Sequence, residues 1–202
     1  MLAVIDFGGG NMGSLLSALA RRGLPFEVVS DPEGLARASA AILPGDGAFG
    51  ATMEALRARG LDGAIERMLA KDLPFLGICV GMQVLFSGSS EHGASRGFGF
   101  FQGEVERFSV LAPRVPHMGW NELEMLRPSP GLAGISSGEY VYFLHSYRVP
   151  VVAETVAASV HGERFSAIVA RGRVWAMQFH PEKSGPTGGK LLDAFLKHAS
   201  NH

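Results

Sequence analysis

Only one cysteine, Cys79, occurs in the 202 residues. No internal disulfide can form, so a reducing, cytoplasmic setting is the expectation. Long apolar runs are missing as well. None approaches the roughly 20 residues of a membrane span, and the opening MLAVIDFGGG has no basic region ahead of its apolar segment, which argues against a secretory leader. Basic runs are also lacking. Lys+Arg number 18 against 19 for Asp+Glu, a net charge of −1, which leaves no electrostatic footprint for nucleic acid or an anionic membrane surface. Repeats, low-complexity tracts and linkers are absent from the sequence. At 47% hydrophobic residues the chain can bury one good core, and it is too short for two, so residues 1–202 are expected to form a single domain.

What is present is an alternation of short apolar runs with helical patterns. Leu2 to Phe7, Phe26 to Ser30, Ala40 to Leu43 and Pro74 to Ile78 read as buried strands. Helices are expected near Ser14 to Arg22, Ala51 to Arg59 and Leu61 to Ala70, with Asp31 as the N-cap of another that begins at Pro32. Strands alternating with helices predict an α/β fold with a doubly wound, mostly parallel sheet. Beyond Phe86 the texture changes. Gly103 to Phe108, Tyr140 to Leu144, Val149 to Val156, Arg164 to Ala170 and Val174 to Phe179 read as antiparallel or mixed strands, some building a smaller second sheet. Four prolines assign Ala112 to Gly131 mostly to loop, and a helix from about Lys190 to His198 ends the pattern.

Gly8 to Gly13 matches G-x-G-x-x-G, the dinucleotide fingerprint, after a strand and before a helix. A glycine-rich turn of this kind also packs the first helix of any tightly wound α/β sheet, and Asp31 is accounted for as a cap. A nucleotide-binding module therefore stays open only as an alternative, and no cofactor or metal is expected. The loop Pro44 to Gly50 carries three glycines at a strand end, either as a source of oxyanion-binding N–H groups or as an ordinary turn.

The strongest local signal is Pro74 to Phe86, PFLGICVGMQVLF. Its apolar run gives way at Cys79 to a helical pattern, and Gly77 and Gly81 bracket the cysteine as a sharp strand-to-helix turn would require. Cys79 is either a small buried hydrophobe or a nucleophile held at the end of a sheet. A base decides between them. Val174 to Phe179 runs into His180-Pro181-Glu182, which puts an imidazole at a strand end with a carboxylate two residues on. Thiol, imidazole and orienting carboxylate are the parts of nucleophilic catalysis.

Gly77-Ile78-Cys79-Val80-Gly81-Met82-Gln83 together with Phe179-His180-Pro181-Glu182 resembles the class I (triad) glutamine amidotransferases. Ile5 to Asn11, Val115 to Asn121 and Leu144 to Tyr147 are similar to the glutaminase subunits of imidazole glycerol phosphate synthases, and the resemblance runs the length of the chain. It implies a flavodoxin-like sheet in which Cys79 attacks the glutamine amide, His180 shuttles the proton and Glu182 orients it. It also implies an oxyanion hole from Val80 and Gly47 and a glutamine site formed by Gln83, Glu91, Ser146 and Tyr147. The implied partner is a (β/α)₈ barrel cyclase that receives ammonia and makes imidazole glycerol phosphate and an aminoimidazole carboxamide ribonucleotide. Trp120, Met118, His117, Asn11 and Lys183 are the candidate interface, although Trp120 could instead cover the second sheet. Asp46 stands where the family commonly has valine, and it is expected to point away from the oxyanion. Such subunits are expected to be nearly idle without their partner. A glutaminase of another synthase and a Cys-dependent hydrolase remain the alternatives.

Overall fold

Four-residue apolar runs, each wholly buried, make the centre of the fold. The computed structural model describes residues 1–9, 12–132 and 134–200. In chain order the first half is β1 (Leu2–Ile5), α1 (Gly13–Ala20), β2 (Phe26–Val29), α2 (Pro32–Ala36), β3 (Ala40–Leu43), α3 (Phe49–Ala58), α4 (Leu61–Ala70), β4 (Phe75–Ile78) and the short α5 (Val80–Gln83). Every residue of β1, β3 and β4 is buried. Such runs have no polar face, which suits strands covered by helices on both sides. Asp31 caps α2 as expected, its side chain accepting from the Gly34 N–H at 2.7 Å.

The second half is mostly strand: β5 (Gly88–Ser89), β6 (Ser95–Arg96), β7 (Glu104–Arg107), β8 (His117–Glu122), β9 (Glu124–Met125), β10 (Tyr140–His145), β11 (Tyr147–Arg148), β12 (Thr155–His161), β13 (Glu163–Arg171) and β14 (Val174–Met177), before α6 (Gly185–Ser200). The main sheet has the order β2-β1-β3-β4-β14-β13-β12-β9. Pairing is parallel from β2 through to β14 and antiparallel beyond. Beside it lie a four-stranded mixed sheet, β11-β7-β5-β6, and an antiparallel ribbon of β10 and β8. The α/β class with a smaller second sheet is therefore as the sequence reads.

Three boundaries differ from the sequence reading. The segment from Ala112 to Gly131 is not mostly loop, because His117–Glu122 pairs with β10 in register Trp120↔Tyr142. Its prolines flank the strand and do not interrupt it. The strand expected from Val149 begins only at Thr155: Pro150 supplies no N–H, and Val152 to Thr155 closes a turn through Thr155 N–H to Val152 C=O at 3.0 Å and Val152 N–H to Thr155 Oγ1 at 2.9 Å. The last helix starts at Gly185, ahead of Lys190. Its glycine-rich first turn has little intrinsic propensity, and it is carried by the burial of Leu191, Leu192 and Phe195.

Candidate active site

Parallel pairing sets the site. β4 and β14 are neighbours with Ile78 opposite Met177, so both strands end at the same edge of the sheet. Cys79 follows β4 directly, and His180 follows β14 by three residues. Open α/β sheets bind ligands at this edge.

Cys79 turns the chain from β4 into α5 with φ 54° and ψ −112°, a strained backbone for a residue with a Cβ. Its N–H donates to the Met177 carbonyl at 2.8 Å, which ties the elbow to β14. The bracketing glycines are required by close approach. A Cβ on Gly77 would stand 2.5 Å from the Gly81 carbonyl oxygen, and one on Gly81 would collide with the Leu43 carbonyl of β3. Cys79 is only 3% exposed, and its sulfur has the Leu144 carbonyl at 3.8 Å and Gln178 Nε2 at 3.9 Å.

His180 Nδ1 meets Glu182 Oε1 at 2.9 Å across Pro181, and both side chains are buried. Nε2 is left without a hydrogen-bond partner among the described residues. Burial works against the imidazolium, but contact with Cys79 and then Glu182 outweighs it and pushes the ring's pKa up to about 10. The loop holding His180 is clamped from β10. His180 N–H donates to the Tyr142 carbonyl at 3.0 Å, and Ser184 Oγ accepts from Tyr142 N–H at 2.9 Å while donating to the His180 carbonyl at 2.6 Å.

A pocket of about 280 Å³ opens over the sulfur. Its lining brings together Gly47, Val80, Gln83, Glu91, Ser146 and Tyr147, which the sequence reading had grouped around one substrate. Glu91 also accepts from the Phe49 N–H at 2.8 Å and so satisfies a free donor at the start of α3. Val80 N–H, the expected oxyanion donor, is already spent here on the Gly45 carbonyl at 3.4 Å. Asp46 is exposed on the rim beside it.

On the β8–β10 ribbon, Met118 and Trp120 are 57% and 55% exposed. His117 was grouped with them, but strand alternation turns its ring inward and leaves it only 4% exposed. Lys183 is exposed next to the His180 loop, and Asn11 lies outside the described residues. Among the described residues no group of acidic, His or Cys side chains is placed to hold a metal. Two buried polar residues escaped the sequence reading: Gln178, fully buried beside the sulfur, and Ser184. An amide closing the apolar run Val174–Met177 was the one available signal for Gln178.

Sheet order, elbow and imidazole–carboxylate pair define a class of protein, and the comparisons name the same class. The family model described as "Glutamine amidotransferase class-I" matches residues 3–199. A solved structure described as "Crystal structure of glutamine amidotransferase" shares the fold with a TM-score of 0.77 at 22% identity, covering 98% of each chain. The curated relatives are more specific. An imidazole glycerol phosphate synthase subunit HisH from Synechococcus sp. (strain JA-3-3Ab) is 47% identical, covering 97% of this chain and 93% of its own. The HisH subunit of Shouchella clausii (strain KSM-K16) is 46% identical, covering 96% and 97%. The chain belongs to the class-I glutamine amidotransferases and, within them, to the family of imidazole glycerol phosphate synthase subunit HisH.

Proposed function

We propose that the whole chain acts as one glutaminase domain in the cytoplasm, the subunit of imidazole glycerol phosphate synthase that releases ammonia from glutamine for histidine biosynthesis. Cys79 attacks the side-chain amide, His180 protonates the departing ammonia and then activates water, and Glu182 orients His180. The resulting glutamyl thioester is hydrolysed to glutamate. The observation that carries this reading is the Cys79 elbow with the His180–Glu182 pair at adjacent ends of parallel strands. In the pocket, Glu91 offers a carboxylate to the substrate ammonium, and Gln83, Ser146 and Tyr147 surround the rest.

The partner is a (β/α)₈ barrel cyclase that docks on Met118, Trp120 and Lys183 as a heterodimer. A narrow cavity of about 20 Å³ behind the triad, between Gly9, Met12, His180 and Lys183, supports an ammonia path toward that side. The hydrogen bond from Val80 to Gly45 supports a resting state in which the oxyanion donor is occupied. Turning the Gly45 peptide away would free the Val80 N–H and bring Gly47 forward as second donor. Loss of one oxyanion donor costs about 100- to 1,000-fold in rate, so a chain in this arrangement would be nearly idle.

The test is glutamate release by the chain alone, with a cyclase barrel, and with the barrel plus its nucleotide ligand, each beside Cys79→Ala. Release that rises in the loaded complex and is absent from the variant is expected. No release by the wild type in any of the three would sink the reading.

A further inference from the structure

Gln178 has no exposed surface, and a buried amide needs partners. One backbone carbonyl dictates the direction of every bond around it. The Tyr147 carbonyl can only accept, and two side chains reach it: Gln83 Nε2 at 3.0 Å and His145 Nδ1 at 2.8 Å. Gln83 must therefore turn its NH₂ that way. Its second N–H meets Gln178 Oε1 at 3.0 Å, which leaves Gln178 Nε2 facing Cys79 Sγ at 3.9 Å. In the other direction, His145 carries its proton on Nδ1, so its Nε2 accepts from His117 Nδ1 at 3.0 Å. His117 Nε2 then accepts from Asn121 Nδ2 at 3.3 Å. Asn121 is fixed independently: its Nδ2 donates to the Val160 carbonyl at 2.8 Å and its Oδ1 accepts from Glu122 N–H at 2.9 Å. Both ends of the chain agree on its polarity. Burial, aided by neighbouring histidine charge, holds His117 and His145 uncharged, as these tautomers require.

We infer that Gln178 is a further catalytic residue, the amide donor to the Cys79 thiolate, and that Gln83 positions it. A neutral thiol is a weak acceptor, which fits the 3.9 Å separation, and a full charge on sulfur draws the donor in. Besides His180, whose ring is in contact with the thiol, Gln178 is the side-chain donor placed against this sulfur. The inference rests on the glutaminase reading for its use, and on geometry alone for its existence.

Ultraviolet thiolate absorbance against pH tests it in the intact chain, with Cys79→Ser as the blank. With a single cysteine the signal has one source. The titratable groups around the thiol, namely His180 with Glu182 behind it, His145, Asp46 and Glu91, are kept in every variant. Gln178→Met is expected to raise the thiol midpoint by about one unit, roughly a tenfold loss of thiolate at a fixed pH below it. Gln83→Met, which leaves the donor present but unheld, should shift it the same way by less. If Gln178→Met does not fold, Gln83→Met carries the test. Titrations that superimpose on wild type, in variants with native near-ultraviolet circular dichroism, overturn the inference. No glutamine enters the measurement, so this result stands apart from glutamate release: unshifted titrations beside an active wild type refute Gln178 alone.

Discussion

Taking the protein from about pH 7 to about pH 5 should cost it about 3 kcal/mol of stability, most of it through two buried histidines. His117 and His145 are 4% and 6% exposed, and burial lowers their pKa from 6.5 to about 4 and about 3. A histidine whose folded pKa is depressed contributes stability in full above its unfolded value and loses it as pH falls toward the folded one. Each therefore costs about 1.4 kcal/mol per pH unit once well below the unfolded value, close to 2 kcal/mol apiece at about pH 5. His180 has the opposite sign. Its raised pKa makes its contribution complete below the unfolded value and lost as pH climbs toward about 10, so acidification returns about 1 kcal/mol. Against a typical total of about 5–15 kcal/mol, the net loss is large.

Urea unfolding followed by circular dichroism at several pH values measures this directly. His117→Gln and His145→Gln should each remove about half of the gross histidine loss, and the wild-type resonances of His117 and His145 should stay at their neutral positions through the same range. A change below about 1 kcal/mol, or one undiminished in both variants, would refute the reasoning.

Gly81→Ala forces a Cβ onto the Leu43 carbonyl, backbone that cannot yield without parting α5 from β3. A loss of about 3 kcal/mol or more in chemical unfolding is expected. Ser184→Ala leaves Tyr142 N–H and the His180 carbonyl without their shared hydroxyl at a site only 1% exposed. It should cost about 1–3 kcal/mol and lower kcat for glutamate release more than it raises KM, because the base moves while the pocket stays.

The parts of this fold that are legible in the sequence are those where one short segment carries the whole reason. The apolar runs Leu2–Ile5, Ala40–Leu43 and Phe75–Ile78 have no polar side to show solvent, so they read as central strands and are wholly buried. Cys79 is legible because an inert cysteine needs no glycine on either side, whereas in this turn Gly77 must pass the Gly81 carbonyl and Gly81 the Leu43 carbonyl. What was missed depends on partners far away in the chain. His117–Glu122 becomes a strand only when Tyr140–His145 lies beside it, and that pairing is what turns His117 inward. Gln178 draws its meaning from Gln83 and Tyr147, and the occupancy of the Val80 N–H from the orientation of a single peptide at Gly45. Neither is a local propensity.

The β8–β10 ribbon joins what the chemistry uses to what the surface offers. β10 and the start of β11 touch the working parts together: Tyr142 holds the backbone of His180, the Leu144 carbonyl faces the sulfur, and Tyr147 supplies the carbonyl that orients Gln83. β8 pairs with β10 along six residues and carries Met118 and Trp120 outward. A partner can shift an equilibrium in the site only through contacts that differ between its two states. On this ribbon the route inward is short, since Trp120 lies opposite Tyr142, whose carbonyl holds the His180 N–H. The Gly45 peptide is held by the Val80 N–H, so a ligand of the ribbon frees that donor only through a further step that breaks this bond.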